Sequence, residues 1–161
     1  MPKRIDAAAL QAVVGTLYPP PFDAPCRRRA RTKLGDAAGL RQFGVNLLHL
    51  PPGAWSSQRH WHTASDEFVF VLSGEVTLVS DCGEEVLRPG DAAGFAANDA
   101  NGHCLQNRSS APATVLEIGT RVAGDSAHYS DIDMIAPADA APALYTRRDG
   151  TPYPNSGRRG P

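Results

Sequence analysis

The chain has 161 residues, a length that favours a single domain with a substantial hydrophobic core. Its 16 basic and 17 acidic residues nearly cancel, so we expect no electric field that would attract nucleic acid. No apolar stretch approaches the roughly 20 residues that span a bilayer, and no convincing signal-peptide cleavage site follows the N-terminus. We therefore predict a cytoplasmic protein that contacts no membrane. Three cysteines without C-x-x-C spacing argue against a disulfide framework or a structural zinc cluster.

Residues 1–38 are predicted to form a short helix followed by an irregular arm. Residues 5–17 place apolar side chains on one side of a helix, with Asp6 as its N-cap. Three consecutive prolines at 19–21 would end any helix. The basic run at 26–31, CRRRAR, is interpreted as a solvated face or a set of salt-bridge donors, because no aromatic platform accompanies it.

The central part of the chain, residues 39–122, is predicted to be an all-β domain. Short apolar runs alternate there with glycine, proline and aspartate, and glycines such as Gly74 stand where hairpin turns require a positive φ. The predicted strands span residues 44–50, 57–62, 67–72, 75–79, 84–87, 92–96, 103–107 and 113–119. Short antiparallel strands at this density predict a sandwich or a barrel with little helix.

Residues 123–161 are predicted to be a C-terminal extension. An edge strand is expected at 131–135. The rest is rich in proline, glycine and charge, which favours an extended tail.

The stretch from Gly53 to Gly74 contains a candidate metal site. His60 and His62 are two positions apart, so on a strand they share one face. Glu67 is an odd number of residues further on, but the polar, turn-like segment 63–66 lies between, so we predict that the histidines and Glu67 lie on neighbouring strands of a hairpin.

His103 is expected to complete this site. Three imidazoles and one carboxylate suit iron(II), manganese, nickel, copper or zinc, and would leave one or two coordination positions open. A His-x-His pair alone is weak evidence, since most single histidines on strands are ordinary core or surface residues. A metal site is favoured because three of the five histidines occur at mutually consistent positions framed by glycines, whereas His49 and His128 fit no ligand pattern.

These residues resemble two sequence motifs of the cupin superfamily. The first motif is matched by Gly53-x6-His60-x-His62-x4-Glu67-x6-Gly74, and the second by Gly90-Asp91 through His103-x3-Asn107. The resemblance covers residues 44–119, about half of the chain. It departs from the family pattern in a gap before His60 that is one residue longer, and in a longer, proline-free loop at 96–102 in place of a Pro-x-Gly turn.

The resemblance implies a cupin jelly-roll β-barrel that binds one divalent transition metal per subunit through His60, His62, Glu67 and His103. It also implies a homodimer, since many cupins pair through exchanged or abutting strands. The segments 34–46 and 145–154 resemble a subgroup of bacterial single-domain cupins, many of them described as uncharacterised or only provisionally as sugar-phosphate isomerases. Fold analogy does not fix the reaction.

Three functions stay open at this point. The first is a metal-dependent enzyme acting on a small polar metabolite, as an isomerase of the sugar-phosphate type, a non-haem iron dioxygenase or a lyase. The second is a sensor module that binds a metabolite without turnover, and the third is a barrel that has lost its substrate. No catalytic residue can be assigned. Candidates that could orient a substrate are Gln58, Asn101 and Gln106, and candidate cationic anchors for a phosphate are Arg59 and Arg108.

Overall fold

The computed structural model describes residues 3–140 and 143–154 of the chain. Within these ranges, most regular structure is β-strand, and one α-helix, α1 (Leu34–Ala38), accompanies three short 3-10 helices. The strands are β1 (Val13–Val14), β2 (Ala30–Lys33), β3 (Phe43–Leu50), β4 (His60–His62), β5 (Glu67–Ser73), β6 (Val76–Ser80), β7 (Gly83–Leu87), β8 (Ala92–Phe95), β9 (Cys104–Gln106), β10 (Ala113–Thr120), β11 (Ala127–Tyr129) and β12 (Ile135–Ala136). No helix of the described residues is long and apolar enough to cross a membrane.

The strands form the antiparallel walls of a jelly-roll barrel, as predicted. One wall is a six-stranded sheet in the order β1-β2-β3-β10-β5-β8. The other contains two three-stranded sheets, β7-β6-β9 and β12-β11-β4. An isolated bridge between His60 and His103 joins these two sheets, with backbone N-to-O distances of 3.1 and 2.9 Å.

Each of the eight predicted strands is present, with shifts of a few residues at the ends. The largest change is at the predicted strand 57–62, of which only His60–His62 is strand. The predicted alternation on β5 is confirmed, because Val69 and Val71 are buried whereas Phe68 and Leu72 are exposed. The inward valines join the main hydrophobic core between the two walls. The face of β5 that carries Glu67 is therefore the interior face.

The N-terminal helix is shorter than predicted from residues 5–17. A 3-10 helix covers only Ala7–Ala9, where the Asp6 side chain accepts a hydrogen bond from the Ala8 N–H group. Val13–Val14 instead form β1, which pairs with β2. Valine is stiff at χ1 and fits a strand better than a helix, so pairing with β2 outweighs the weak helical periodicity.

The arm and the C-terminal extension pack on each other in a second hydrophobic cluster. Tyr18 of the arm contacts Tyr129 of β11 edge to face, with ring centroids 5.6 Å apart. Phe22 contacts Tyr153 in the same way at 5.9 Å. The part of the predicted tail at 143–154 therefore lies against the arm, whereas 141–142 and 155–161 lie outside the described residues.

One strand of each flanking segment pairs with a barrel strand. β2 of the arm pairs with β3, and β11 of the extension pairs with β4. The edge strand predicted at 131–135 is found only as the two-residue β12 (Ile135–Ala136), which begins four residues later, while β2 and β11 were not predicted. The boundaries predicted at residues 38 and 122 stay predictions.

Candidate metal centre

The four predicted metal-ligand residues meet at one carboxylate oxygen. The Oε2 atom of Glu67 lies 3.0 Å from the Nε2 atom of His103, 3.7 Å from that of His60 and 3.6 Å from that of His62. Ligand atoms of His60, His62 and Glu67 all lie within 4.8 Å of one another, which makes these three residues a group that could hold a metal ion.

The predicted hairpin geometry of this site is wrong. β4, which carries both histidines, belongs to the sheet β12-β11-β4, whereas β5, which carries Glu67, belongs to the six-stranded sheet. The histidines and Glu67 thus come from different walls. The side chains converge because both strands turn these residues toward the interior.

Hydrogen bonds orient two of the imidazoles. The Nδ1 atom of His60 lies 2.9 Å from the carbonyl oxygen of Gln58, and the Nδ1 atom of His62 lies 2.6 Å from Oδ2 of Asp125. Since both partners accept, each ring donates its Nδ1–H group, and the Nε2 lone pair points toward Glu67. This is the tautomer that binds metals through Nε2.

The charges in the cluster also suit a cation. Burial is the main cause that lowers the pKa of His60 to about 4, so this ring is neutral near neutral pH. Burial by itself would raise the pKa of Glu67, but the hydrogen bond with His103 and the nearby imidazoles outweigh it and hold the pKa at about 2. A neutral His60 ring beside an ionised Glu67 carboxylate matches the protonation states that metal binding requires of these two residues.

The unusual loop before His103 still delivers the ring to the site. Asn98 makes the turn with a φ of 62°, and the His103 N–H group donates to the His60 carbonyl oxygen. Gly102 is needed for close packing, because a Cβ atom there would lie 1.9 Å from Oγ of Ser130. The His103 ring stacks on Phe95 with centroids 3.5 Å apart, and its buried Nδ1 atom has no hydrogen-bond partner in the described chain.

The cluster lies between two cavities of the barrel. The larger has a volume of about 410 Å³ and is lined by His60, Glu67 and His103. The smaller, about 180 Å³, is lined by His62 together with the same Glu67 and His103. A small molecule in the larger cavity would therefore contact the cluster directly.

The predicted anchor and substrate-orienting residues do not line the larger cavity. Arg59 forms ion pairs with Asp131 and Asp81, and Arg108 forms one with Glu84. The Gln58 amide donates to the Phe22 carbonyl oxygen, Gln106 accepts from Arg108, and Asn101 lines the smaller cavity. Arg59 precedes the inward-facing His60, and because successive side chains of a strand point to opposite faces, its side chain is directed away from the cavity.

Two cavity arginines of the arm and a second carboxylate were missed. Arg29 and Arg31, from the basic run of the arm, line the larger cavity together with Glu117 of β10. The Arg31 guanidinium donates to both oxygens of Glu117, at 2.7 and 2.9 Å. The interpretation of the run as salt-bridge donors is confirmed for Arg31, but a solvated face is wrong for Arg29, which is only 8% exposed. The i, i+2 spacing of the two arginines was an available signal.

A known structure resembles this chain over nearly its whole length. It is a sugar phosphate isomerase from a cupin superfamily of Silicibacter pomeroyi DSS-3, with 47% sequence identity, a TM-score of 0.89, and coverage of 94% of this chain and 96% of that one. The chain belongs to the cupin superfamily. The family described as Cupin domain matches residues 46–119 of this cupin.

More distant structures share the cupin fold. A protein of Acidithiobacillus ferrooxidans, assigned provisionally as a sugar phosphate isomerase, is 28% identical, with a TM-score of 0.70 and coverage of 78% of this chain and 80% of its own. The polyketide cyclase RemF of Streptomyces resistomycificus is 20% identical, with a TM-score of 0.60 and coverage of 74% and 80%. RemF bears on the fold alone. A comparison with curated proteins found no match.

Proposed function

We propose that this cupin binds one divalent transition metal per subunit through His60, His62, Glu67 and His103, and that it acts on a small polar metabolite in the adjoining cavity. The observation that carries this proposal is the approach of three Nε2 atoms to one Glu67 oxygen, at 3.0 to 3.7 Å. Iron, manganese, nickel or zinc would suit this donor set.

The donor set fits a metal in its chemistry as well as in its position. His60 and His62 have their Nδ1–H groups engaged, so their Nε2 atoms are free to bind. When bound, the metal would supply a Lewis acid that polarises a carbonyl or hydroxyl group of the substrate. Glu67 would be occupied as a ligand, so a proton acceptor must come from elsewhere.

Glu117 is the residue to which we assign that proton transfer. It faces the cavity from β10, and its side chain is 18% exposed. Its partner on β5 is Val69, two residues from Glu67 on the same interior face. Arg31 fixes the carboxylate by two hydrogen bonds, which leaves lone pairs on both oxygens for a substrate proton.

Isomerisation of a sugar phosphate is the reaction that we propose first. The support is the 47% identity to a protein described as a sugar phosphate isomerase. Isomerisation needs a polarised carbonyl and a positioned base, which the metal centre and Glu117 would provide. Dioxygenase and lyase reactions at the same centre are the other outcomes.

The test is to incubate the metal-loaded protein with a series of sugar phosphates and to follow the products by NMR. The proposal expects metal-dependent isomerisation that is lost in His60→Ala and kept in His49→Ala, since His49 is exposed and contacts Thr114 instead of the cluster. Ligand-induced thermal stabilisation without turnover of any substrate would contradict an enzymatic role and indicate a sensor.

We also propose that the protein forms a homodimer. Phe68 and Leu72 are 41% and 45% exposed on the outer face of the six-stranded sheet, where a second subunit could cover them. Light scattering that gives the mass of one chain would contradict this. A cytoplasmic location, and the absence of nucleic-acid and membrane partners, stay predictions.

A further inference from the structure

Arg29 is a buried cation without a carboxylate partner in the described part of the chain. Its residue surface is only 8% exposed, and it forms no ion pair with a carboxylate within residues 3–140 and 143–154. Its guanidinium donates instead to the carbonyl oxygens of Gly15 and Ser56 and lies over the ring of Tyr18, 5.6 Å from the centroid. Buried charges are costly unless they are paired, so an anionic group of a ligand at this cavity wall would be stabilised by Arg29.

The neighbouring charges do not compensate Arg29. Arg31 also donates to the Ser56 carbonyl oxygen, at 3.2 Å, and it already holds the carboxylate of Glu117. At this end of the cavity, two positively charged guanidinium groups therefore lie near one carboxylate, and only Arg31 is hydrogen-bonded to it. Burial and, next, the nearby Arg31 lower the pKa of Arg29, which is the direction expected for a cation whose charge is not balanced.

The rest of this wall contains two neutral phenols. Tyr18 and Tyr145 line the same cavity as the two arginines. Burial raises the pKa of both phenols and outweighs the lowering effect of their hydrogen bonds with Tyr129, so both keep their protons near neutral pH and add no negative charge beside the arginines. Guanidinium groups are donors suited to an oxyanion, whereas a neutral sugar ring would leave the charge of Arg29 unpaired.

We propose that Arg29, with Arg31, forms an anion subsite that binds the phosphate or carboxylate group of the molecule in the larger cavity. This subsite would make the substrate of the proposed function an anionic molecule, and to that extent the inference rests on the proposed function. The anionic end of the ligand would lie on the arginines, and its polar body would extend toward the cluster of His60, Glu67 and His103, which lines the same cavity. The arm is then part of the binding site.

The test uses the full chain after metal removal with EDTA, so that it does not depend on the metal assignment. Calorimetric titrations at constant ionic strength would compare inorganic phosphate, ribose 5-phosphate, ribonate and ribose. We expect the phosphate-bearing or carboxylate-bearing probes to bind at least about tenfold more tightly than ribose. The ranking of ribose 5-phosphate against ribonate would tell which oxyanion the subsite prefers.

Arg29→Gln is expected to weaken anion binding by about tenfold or more without changing the affinity for ribose. The matched control is Arg88→Gln, which removes an equal charge from an arginine whose side chain is 65% exposed. Arg29→Lys keeps the positive charge but not the planar guanidinium group. We expect its affinity for anions to lie between those of the wild type and Arg29→Gln.

Three results would overturn the proposal: ribose binding as tightly as its anionic analogues, no anion binding at millimolar concentration, or equal affinities in Arg29→Gln and Arg88→Gln. Metal content measured on the protein before EDTA treatment would be unaffected by such a failure. Conversely, a protein that binds anions but no metal would keep the subsite and contradict the proposed metal centre.

Discussion

The Nδ1 atom of His62 lies 2.6 Å from Oδ2 of Asp125, although the two residues are 63 positions apart. The other oxygen of Asp125 accepts the backbone N–H groups of Ala64 and Ser65, at 2.8 and 3.2 Å. One carboxylate thus fixes both the orientation of the ring and the turn that follows it. A residue outside the predicted barrel therefore positions a candidate metal ligand.

Asp125→Asn is expected to lower the affinity for the metal by about 10- to 100-fold, the usual effect of losing a carboxylate that orients a ligating histidine. The amide oxygen can still accept from Ala64 and Ser65, so the fold should persist. Metal affinity would be measured by competition with a chelator. Asp133→Asn is the control, because Asp133 accepts a backbone N–H group of Arg148 in the same extension. Equal affinities in the two variants would refute the orienting role.

Glu117→Gln is expected to reduce kcat by about 10²- to 10⁴-fold while the metal content stays unchanged, because the amide cannot accept the substrate proton. The control is Glu84→Gln, which alters an exposed ion pair with Arg108. A variant that raises KM and keeps kcat would show instead that Glu117 only positions Arg31.

Gly74→Ala is expected to destabilise the protein far more than Gly90→Ala. Both glycines have a positive φ, 73° and 97°, so alanine at either site costs about 1–2 kcal/mol. A Cβ atom at Gly74 would also lie 2.5 Å from the carbonyl oxygen of Pro112, whereas nothing lies within 4 Å at Gly90. Urea unfolding should therefore show a loss of at least about 3 kcal/mol for Gly74→Ala. Similar losses in both variants would contradict the packing of the β5–β6 turn.

One of the three cysteines is expected to react with a thiol reagent in the native protein. Burial raises the pKa of Cys26 and of Cys104 to about 11, so their thiolates form only at strongly alkaline pH. Cys82 is exposed. Titration with Ellman's reagent near pH 8 should give one rapid equivalent that is absent in Cys82→Ser. Two or three rapid equivalents would show that the buried positions open in solution.

The strands and the metal ligands could be predicted because their signals are local. Alternation along β5 predicted that Val69 and Val71 face the core. The two-residue spacing of His60 and His62 placed their side chains on one face of a strand. The partner strand of Glu67 could not be derived in this way. An odd separation shows that the strand is interrupted, and it does not tell whether the next strand pairs beside it or lies in the opposite wall.

The residues that orient ligands or line the cavity from the flanking segments had weaker signals. Asp125 lies in a segment without strand periodicity, and its role depends on a contact across 63 positions. Arg29 and Arg31 share the two-residue spacing of the histidines, but composition favoured a solvated face. Only the pairing of β2 with β3 shows that Arg31 is directed to the interior, toward Glu117.

Metal analysis of protein purified without an affinity tag tests the central claim most directly. We expect close to one equivalent of a transition metal per chain. We also expect the metal to be lost in His60→Ala and in Glu67→Gln, and to be retained in His49→Ala. Less than a small fraction of an equivalent in the wild type, together with no change in His60→Ala, would contradict a metal centre at these residues.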